Sequence, residues 1–246
     1  MTSDLPARAA TEAAPAPILQ AEGLSKSFQR GPETVHAIQS VSLVIGAGEV
    51  VGLIGPSGSG KTTLLNVLCG WERADEGTIR WRGTPIHSPA SLAWRDVAVM
   101  PQDLALIEEF SIQENVRLPL RLSNGEDPGD SLRFDELLAD LGLGDIGPRM
   151  PAETSLGEQQ RASLARGLVV APSLLLADEP IGHQDEAWAK RVMRTIRTAS
   201  GEGTACLIAT HNPEVFAFID RLFAIRDGEL IEEPVPTVRS GDDRNG

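Results

Sequence analysis

The sequence predicts an α/β fold: a mixed, mainly parallel sheet with an antiparallel edge portion, and a helical subdomain inserted into it. Three observations carry the prediction. Short runs that are apolar on both faces alternate with helical patterns, which suits central parallel strands covered by helices. One turn dipeptide, Asp227-Gly228, sits between two short strand-like runs. The middle third of the chain loses the strand pattern and becomes mainly helical.

Taken in order, Ile18 to Phe28 and Ile38 to Ile45 read as edge strands of the antiparallel portion. Val50-Val51-Gly52-Leu53-Ile54 is a continuous apolar run, followed by a Gly-rich turn and a helical segment from Lys61 to Leu68. From about Asp103 to Val170 the pattern is helical, broken at Asn124-Gly125, Pro128-Gly129 and Gly142 to Pro148. Ser173 to Ala177 is a second buried-strand run, followed by a helix over Glu186 to Thr198, and Thr204 to Ala209 is a third run. Leu222 to Ile225 and Glu229 to Ile231, joined at Asp227-Gly228, form a hairpin signal. The expected organisation is a tail at 1–17, an α/β core at 18–102 and 171–233, a helical subdomain at 103–170 and a tail at 234–246. Ala- and Pro-rich composition marks the first tail as disordered, and Pro234 to Gly246 reads as disordered too.

Composition narrows the function. The net charge of −13 argues against a nucleic-acid partner, because phosphate neutralisation needs clustered Lys and Arg. Cys69 and Cys206 lie in apolar segments at no metal-binding spacing and read as buried free thiols. No stretch reaches the roughly 18 apolar residues of a membrane span. The expectation is a cytoplasmic protein whose membrane role, if any, comes through a partner.

The chemistry begins at the turn after the first central strand, where Gly55-Pro56-Ser57-Gly58-Ser59-Gly60-Lys61-Thr62-Thr63 leads into a helix. Its first eight residues are the Walker A pattern in its required strand-to-helix setting, which makes the fold a P-loop NTPase core. Glycines let the backbone turn tightly and aim N–H groups at phosphates, and the helix N-terminus adds positive potential. Lys61 is expected on the β and γ phosphates of ATP, and the Thr62 hydroxyl on Mg²⁺. The strand ending Leu174-Leu175-Leu176-Ala177-Asp178-Glu179 supplies the matching Walker B carboxylates. Asp178 is expected to hold Mg²⁺ through water, and Glu179 to orient and deprotonate the attacking water.

With those residues in place, the chain resembles the nucleotide-binding subunit of ABC transporters over roughly residues 18–232. It is most similar to the class serving lipoprotein-releasing, macrolide-export and peptide-resistance transporters, through Val35 to Leu43 and Glu114 to Leu120. The resemblance implies that Phe28 stacks on adenine in place of the usual Tyr, a residue this chain lacks altogether. It implies that Gln102 contacts Mg²⁺ or the attacking water, and that His211 contacts the γ-phosphate. Ser155, Gly157 and Glu158 match the signature segment that binds ATP held by a second ATP-binding subunit, packed head-to-tail as a homo- or heterodimer. Ser155 and Glu158 also form an S-x-x-E capping box, which explains both residues structurally. Asp185 matches the acidic residue that contacts the facing site.

The segment also departs from the pattern. Residues 154–158 read T-S-L-G-E where L-S-G-G-Q or L-S-G-G-E is usual, and Ile181 and His183-Gln184 are atypical after the Walker B strand. The resemblance further implies an integral membrane permease subunit, a peripheral position on the inner face of the cell membrane, and transport, with export favoured. A weakly hydrolysing or regulatory ATPase, or one half of a heterodimer with unequal sites, is the alternative. A soluble DNA-repair ATPase of this family would carry long coiled coils, and nothing here sustains heptads.

Overall fold

A computed structural model describes residues 16–93, 95–122 and 128–236, with Pro128 and Gly129 described by their backbone alone. The expected break at Asn124-Gly125 and most of both expected tails lie outside these residues. In chain order the elements are β1 (Pro17–Arg30), β2 (Glu33–Gly46), β3 (Val50–Ile54), α1 (Lys61–Cys69), β4 (Glu76–Trp81), β5 (Thr84–Ile86) and β6 (Val97–Met100). There follow α2 (Ile112–Leu122), α3 (Pro128–Asp140), α4 (Leu156–Leu168), β7 (Leu174–Asp178), α5 (Glu186–Gly201), β8 (Ala205–Ala209), β9 (Arg221–Arg226) and β10 (Glu229–Glu233).

The strands form two sheets. A six-stranded sheet has the order β10-β9-β3-β8-β7-β6, parallel except for the terminal β9–β10 hairpin. A four-stranded antiparallel sheet has the order β2-β1-β4-β5. The mainly parallel core is therefore as the sequence predicts, but the antiparallel portion is a separate sheet. Only β2 of the two expected edge strands is an edge. β1 is interior, paired with β2 on one side and β4 on the other. β4 escapes the sequence pattern because charged and Gly residues interrupt it, and β5 and β6 because they are only three and four residues long.

The period of two along each strand divides the apolar runs between two cores. In β7, Leu175 and Ala177 face α4 and α5, while Leu174 and Leu176 face α1 and the antiparallel sheet. In β8, Cys206 and Ile208 take the first face, and Ala205, Leu207 and Ala209 the second. Every residue of both strands is buried. At about 1.5–3 kcal/mol per large side chain, this burial holds the strand ends that carry the chemistry. Both free cysteines are buried, and burial pushes the Cys206 thiol up to about 12.

Asp227 and Gly228 both take positive φ, 50° and 81°, as a two-residue hairpin turn matched to strand twist requires. Pro128-Gly129 does not break a helix but opens α3, because proline's missing N–H costs nothing in a first helical turn. β1 likewise begins at Pro17, the last residue of the expected tail.

Candidate functional site

Parallel pairing brings four strand ends to one edge of the larger sheet. Leu53 of β3 and Asp178 of β7 both pair with Ala209 of β8, and Met100 of β6 pairs with Ala177. The segments that follow these strands, carrying residues 55–63, Gln102, Glu179 and His211, therefore emerge together. The carboxyl edge of such a sheet is where α/β proteins place their ligand sites.

The loop between β3 and α1 is shaped by glycine. Gly60 caps α1 at φ 110°, and a Cβ there would lie 2.2 Å from the carbonyl oxygen of Ala37 in β2. A Cβ on Gly55 would lie 2.4 Å from the Ile225 carbonyl oxygen and 2.6 Å from the Ser59 hydroxyl. Gly58 has open space around it but adopts φ 79°, so its requirement is conformational rather than steric. Pro56, Ser57 and Gly58 are exposed at the tip of the loop, and Thr62 and Thr63 lie in the first turn of α1. Lys61 folds back over the loop, its Nζ donating to the carbonyls of Gly55 at 2.8 Å and Pro56 at 3.1 Å. The Ser59 hydroxyl is buried without a hydrogen-bond partner. Loop backbone, helix N-terminus and lysine together form a cradle for an anion.

Across the cradle, the Thr62 hydroxyl donates to Asp178 Oδ2 at 2.7 Å. Asp178 is only 4% exposed, and burial raises its carboxyl above the ordinary carboxylate value, against the pull of the Thr62 hydrogen bond. The charge of Glu179 adds to the rise, and that of Lys61 opposes it. A hydroxyl and a buried carboxylate at this separation are a hard-oxygen donor pair of the kind Mg²⁺ takes. The residues fit the ion.

Glu179 is held from every side. Its backbone takes the left-handed φ of 53°, uncommon outside glycine, and its N–H donates to the Ala209 carbonyl at 2.8 Å. The Thr210 hydroxyl donates to Oε2 at 2.9 Å, the His211 N–H donates to Oε1 at 3.1 Å, and His211 Nδ1 lies 2.7 Å from Oε1. His211 itself is exposed, so one side chain both contacts the carboxylate and faces outward. Thr210 escapes the sequence analysis; a hydroxyl beside the histidine at a strand end is the signal that could have found it.

Phe28 and Gln102 sit at the margins. Gln102 is exposed two residues beyond β6. Phe28 is 39% exposed near the end of β1, opposite Val35 of β2, with Lys26 Nζ 5.3 Å from its ring centre. Val35 lies two residues from Ala37, whose carbonyl meets Gly60, so β2 links the aromatic ring to the loop. Asp75 accepts from the Ser27 N–H at 2.7 Å and fixes this strand end to the segment after α1. That bond holds its carboxyl below the usual range.

Ser155, Gly157 and Glu158 occupy the start of α4. The capping box is complete: Ser155 N–H donates to Glu158 Oε2 at 2.7 Å, the Ser155 hydroxyl donates to the same oxygen at 2.8 Å, and Ser155 Oγ accepts from the Glu158 N–H at 3.3 Å. Those bonds hold the Glu158 carboxyl below its ordinary value. Leu156, the first helical residue, is 47% exposed. Gly157 packs so tightly that a Cβ would lie 2.9 Å from the His183 carbonyl oxygen. Asp185 caps α5 by accepting from the Trp188 N–H at 2.8 Å, and Ile181 is buried.

Comparison with known proteins points to one family. A profile of the ABC transporter family matches residues 38–182. The macrolide export ATP-binding/permease protein MacB of Azoarcus sp. (strain BH72) is 34% identical over 238 residues, covering 95% of this chain and 36% of the relative. MacB of Shigella flexneri is 36% identical over 223 residues, 89% of this chain and 34% of the relative. The chain thus spans about a third of the length of these curated relatives. Among solved structures, the post-hydrolysis dimer of the ATP-binding cassette MJ0796 bound to ADP and Pi superposes with a TM-score of 0.80 at 29% identity, covering 89% of this chain and 100% of that one. A second dimeric structure of MJ0796, described as a bacterial ABC transporter cassette, gives 0.78 at 28% identity over 89% of this chain.

Proposed function

The chain belongs to the ABC transporter family, and from that premise we propose that it is an ATP-binding and ATP-hydrolysing cassette that drives a membrane permease, in the direction of export. The observation that carries the reading is the direct Thr62–Asp178 hydrogen bond across the glycine cradle, with Glu179 clamped one residue further on.

In this reading the loop N–H groups and Lys61 take the β and γ phosphates, and Phe28 stacks on the adenine. Thr62 and Asp178 would hold Mg²⁺, which neutralises phosphate charge when bound; Gln102 lies at the same sheet edge and would approach the ion or the water. Glu179 accepts the proton of the attacking water, while Thr210 and His211 fix which carboxylate oxygen faces it. His211, exposed, is placed to reach the γ-phosphate. Ser155, Gly157 and Glu158 form the face offered to ATP on a second ATP-binding subunit packed head-to-tail, with Asp185 beside it. No described helix is long and apolar enough to cross a membrane, so the permease in this reading lies outside the described residues. The relatives named above are ATP-binding/permease proteins, and they support macrolide-type export as the direction of transport. The protein would then work at the inner face of the cell membrane.

The experiment is a pair of substitutions in the purified protein. Lys61→Ala weakens ATP binding. Glu179→Gln preserves binding while lowering turnover by about 10²–10⁴-fold, the usual contribution of a positioned base. Wild-type turnover in Glu179→Gln would remove that residue from the chemistry. A second reading, a heterodimer with unequal sites, is favoured by Leu156, whose exposed side chain stands at the face offered to the partner's ATP.

A further inference from the structure

We propose that Gln160 and Gln184 are positioning residues for Glu179, forming a polar relay that anchors the backbone of the catalytic carboxylate to the first turns of α4. The proposal rests on the reading of Glu179 as the base. Gln160 is 2% exposed, and its carboxamide meets three groups. Nε2 donates to the Glu179 carbonyl at 2.5 Å, while Oε1 accepts from the His183 N–H at 3.2 Å and from Gln184 Nε2 at 2.9 Å. Gln184 Nε2 also donates to the Gly157 carbonyl at 2.8 Å, and its Oε1 accepts from Arg161 Nη1 at 2.9 Å. Arg161 is fixed in turn: its Nε donates to the Leu141 carbonyl at 2.8 Å and its guanidinium lies 3.9 Å from the Trp188 ring centre.

The direction of the relay is not free. A backbone N–H can only donate and a backbone carbonyl can only accept. The Gln160 atom facing His183 N–H must therefore be the oxygen, and the one facing the Glu179 carbonyl the amide nitrogen. A guanidinium can only donate, so Gln184 must turn its oxygen to Arg161 and its nitrogen to Gly157. Each amide is thus locked in one orientation, and flipping either one alone mismatches all three of its contacts. The relay ends on a residue that needs holding. Glu179 sits at φ 53°, a conformation that non-glycine residues keep only where neighbours over-determine it. The bond from Ala209 fixes its N–H side, Thr210 and His211 fix its carboxylate, and Gln160 fixes its carbonyl side. Gln184 falls at one of the positions where the sequence departs from the family pattern, and the relay gives that departure a role.

A residue that acts through Glu179 affects the chemical step rather than nucleotide binding. The test uses the purified full chain with Gln160→Leu, Gln184→Leu and Glu179→Gln, alone and with each glutamine variant combined with Glu179→Gln. ATP affinity is measured by equilibrium binding, KM and kcat by steady-state hydrolysis, and the residual rate of Glu179→Gln by single turnover. Each glutamine variant is expected to lower kcat by about three- to tenfold, the scale of one buried hydrogen bond, with ATP affinity within about twofold of wild type. Adding either variant to Glu179→Gln is expected to cost nothing further, since the group being positioned is gone. Unchanged kcat in a folded Gln184→Leu overturns the proposal, as does an equal loss in the Glu179→Gln background. Gln184 is only half-buried, so its variant decides the matter even if Gln160→Leu does not fold. Wild-type turnover in Glu179→Gln would instead strike the base assignment itself.

Discussion

Replacing Phe28 by alanine separates a ligand-facing ring from a structural one. The ring is 39% exposed, and the contacts it makes within the chain are modest. Lys26 lies 5.3 Å from its centre, a cation–π contact worth about 0.5–1 kcal/mol at an exposed site. The cross-strand pair with Val35 adds about 0.2–1 kcal/mol. Truncation should therefore cost about 1–2 kcal/mol of folding free energy from these two contacts. A fully buried phenylalanine would cost about 3–5 kcal/mol. If the ring stacks on adenine, the larger effect is on binding: base–aromatic stacking is worth about 1–3 kcal/mol, or about 5- to 150-fold in Kd. The assay is a denaturant titration of the protein without nucleotide, beside equilibrium binding of ATP to wild type and Phe28→Ala. Conservative replacement by Tyr should restore affinity, because the π-face is what matters. A loss of 3 kcal/mol or more in stability, with ATP affinity unaltered, would refute the reasoning.

Three further outcomes are expected. Leu156→Gly should raise both the ATPase rate and nucleotide-dependent dimerisation if the exposed leucine crowds the partner's phosphates; no change in either would mean that the dimer accommodates it. Acid should weaken the α4 cap. The folded Glu158 carboxyl titrates below its ordinary value of 4.5, so its stabilisation is complete above that value and lost as pH falls through the lower folded value. Acid melts of Glu158→Gln, which keeps the cap without the charge, should show a smaller loss below about pH 4.5 than wild type; identical curves would remove the cap from the acid response. Expression beside the membrane protein it serves should move the chain into the membrane fraction, and persistence in the soluble fraction beside every candidate permease would undo the transport reading.

The parallel core and the glycine loop ahead of α1 are legible in the sequence, because both depend on local chemistry. A short run apolar on both faces and bounded by turn residues suits a covered strand, and Gly55, Gly58 and Gly60 ahead of Lys61-Thr62 suit a tight turn into a helix. Asp178 and Glu179 were legible for the same reason, at the end of a wholly apolar run. Tertiary structure alone decided the rest. β1 is interior because a third strand, β4, pairs with it from fifty or so residues away, and no local pattern announces that partner. Phe28 is exposed because its end of the sheet extends beyond the core, which the alternation of β1 does not reveal. The Gln160–Gln184 relay spans three separate segments, and a glutamine in a polar stretch carries no sign of which carbonyl it will meet. Hydrophobic periodicity is written along the chain, one residue after another; the pairing of buried donors with buried acceptors exists only once distant segments have been packed together.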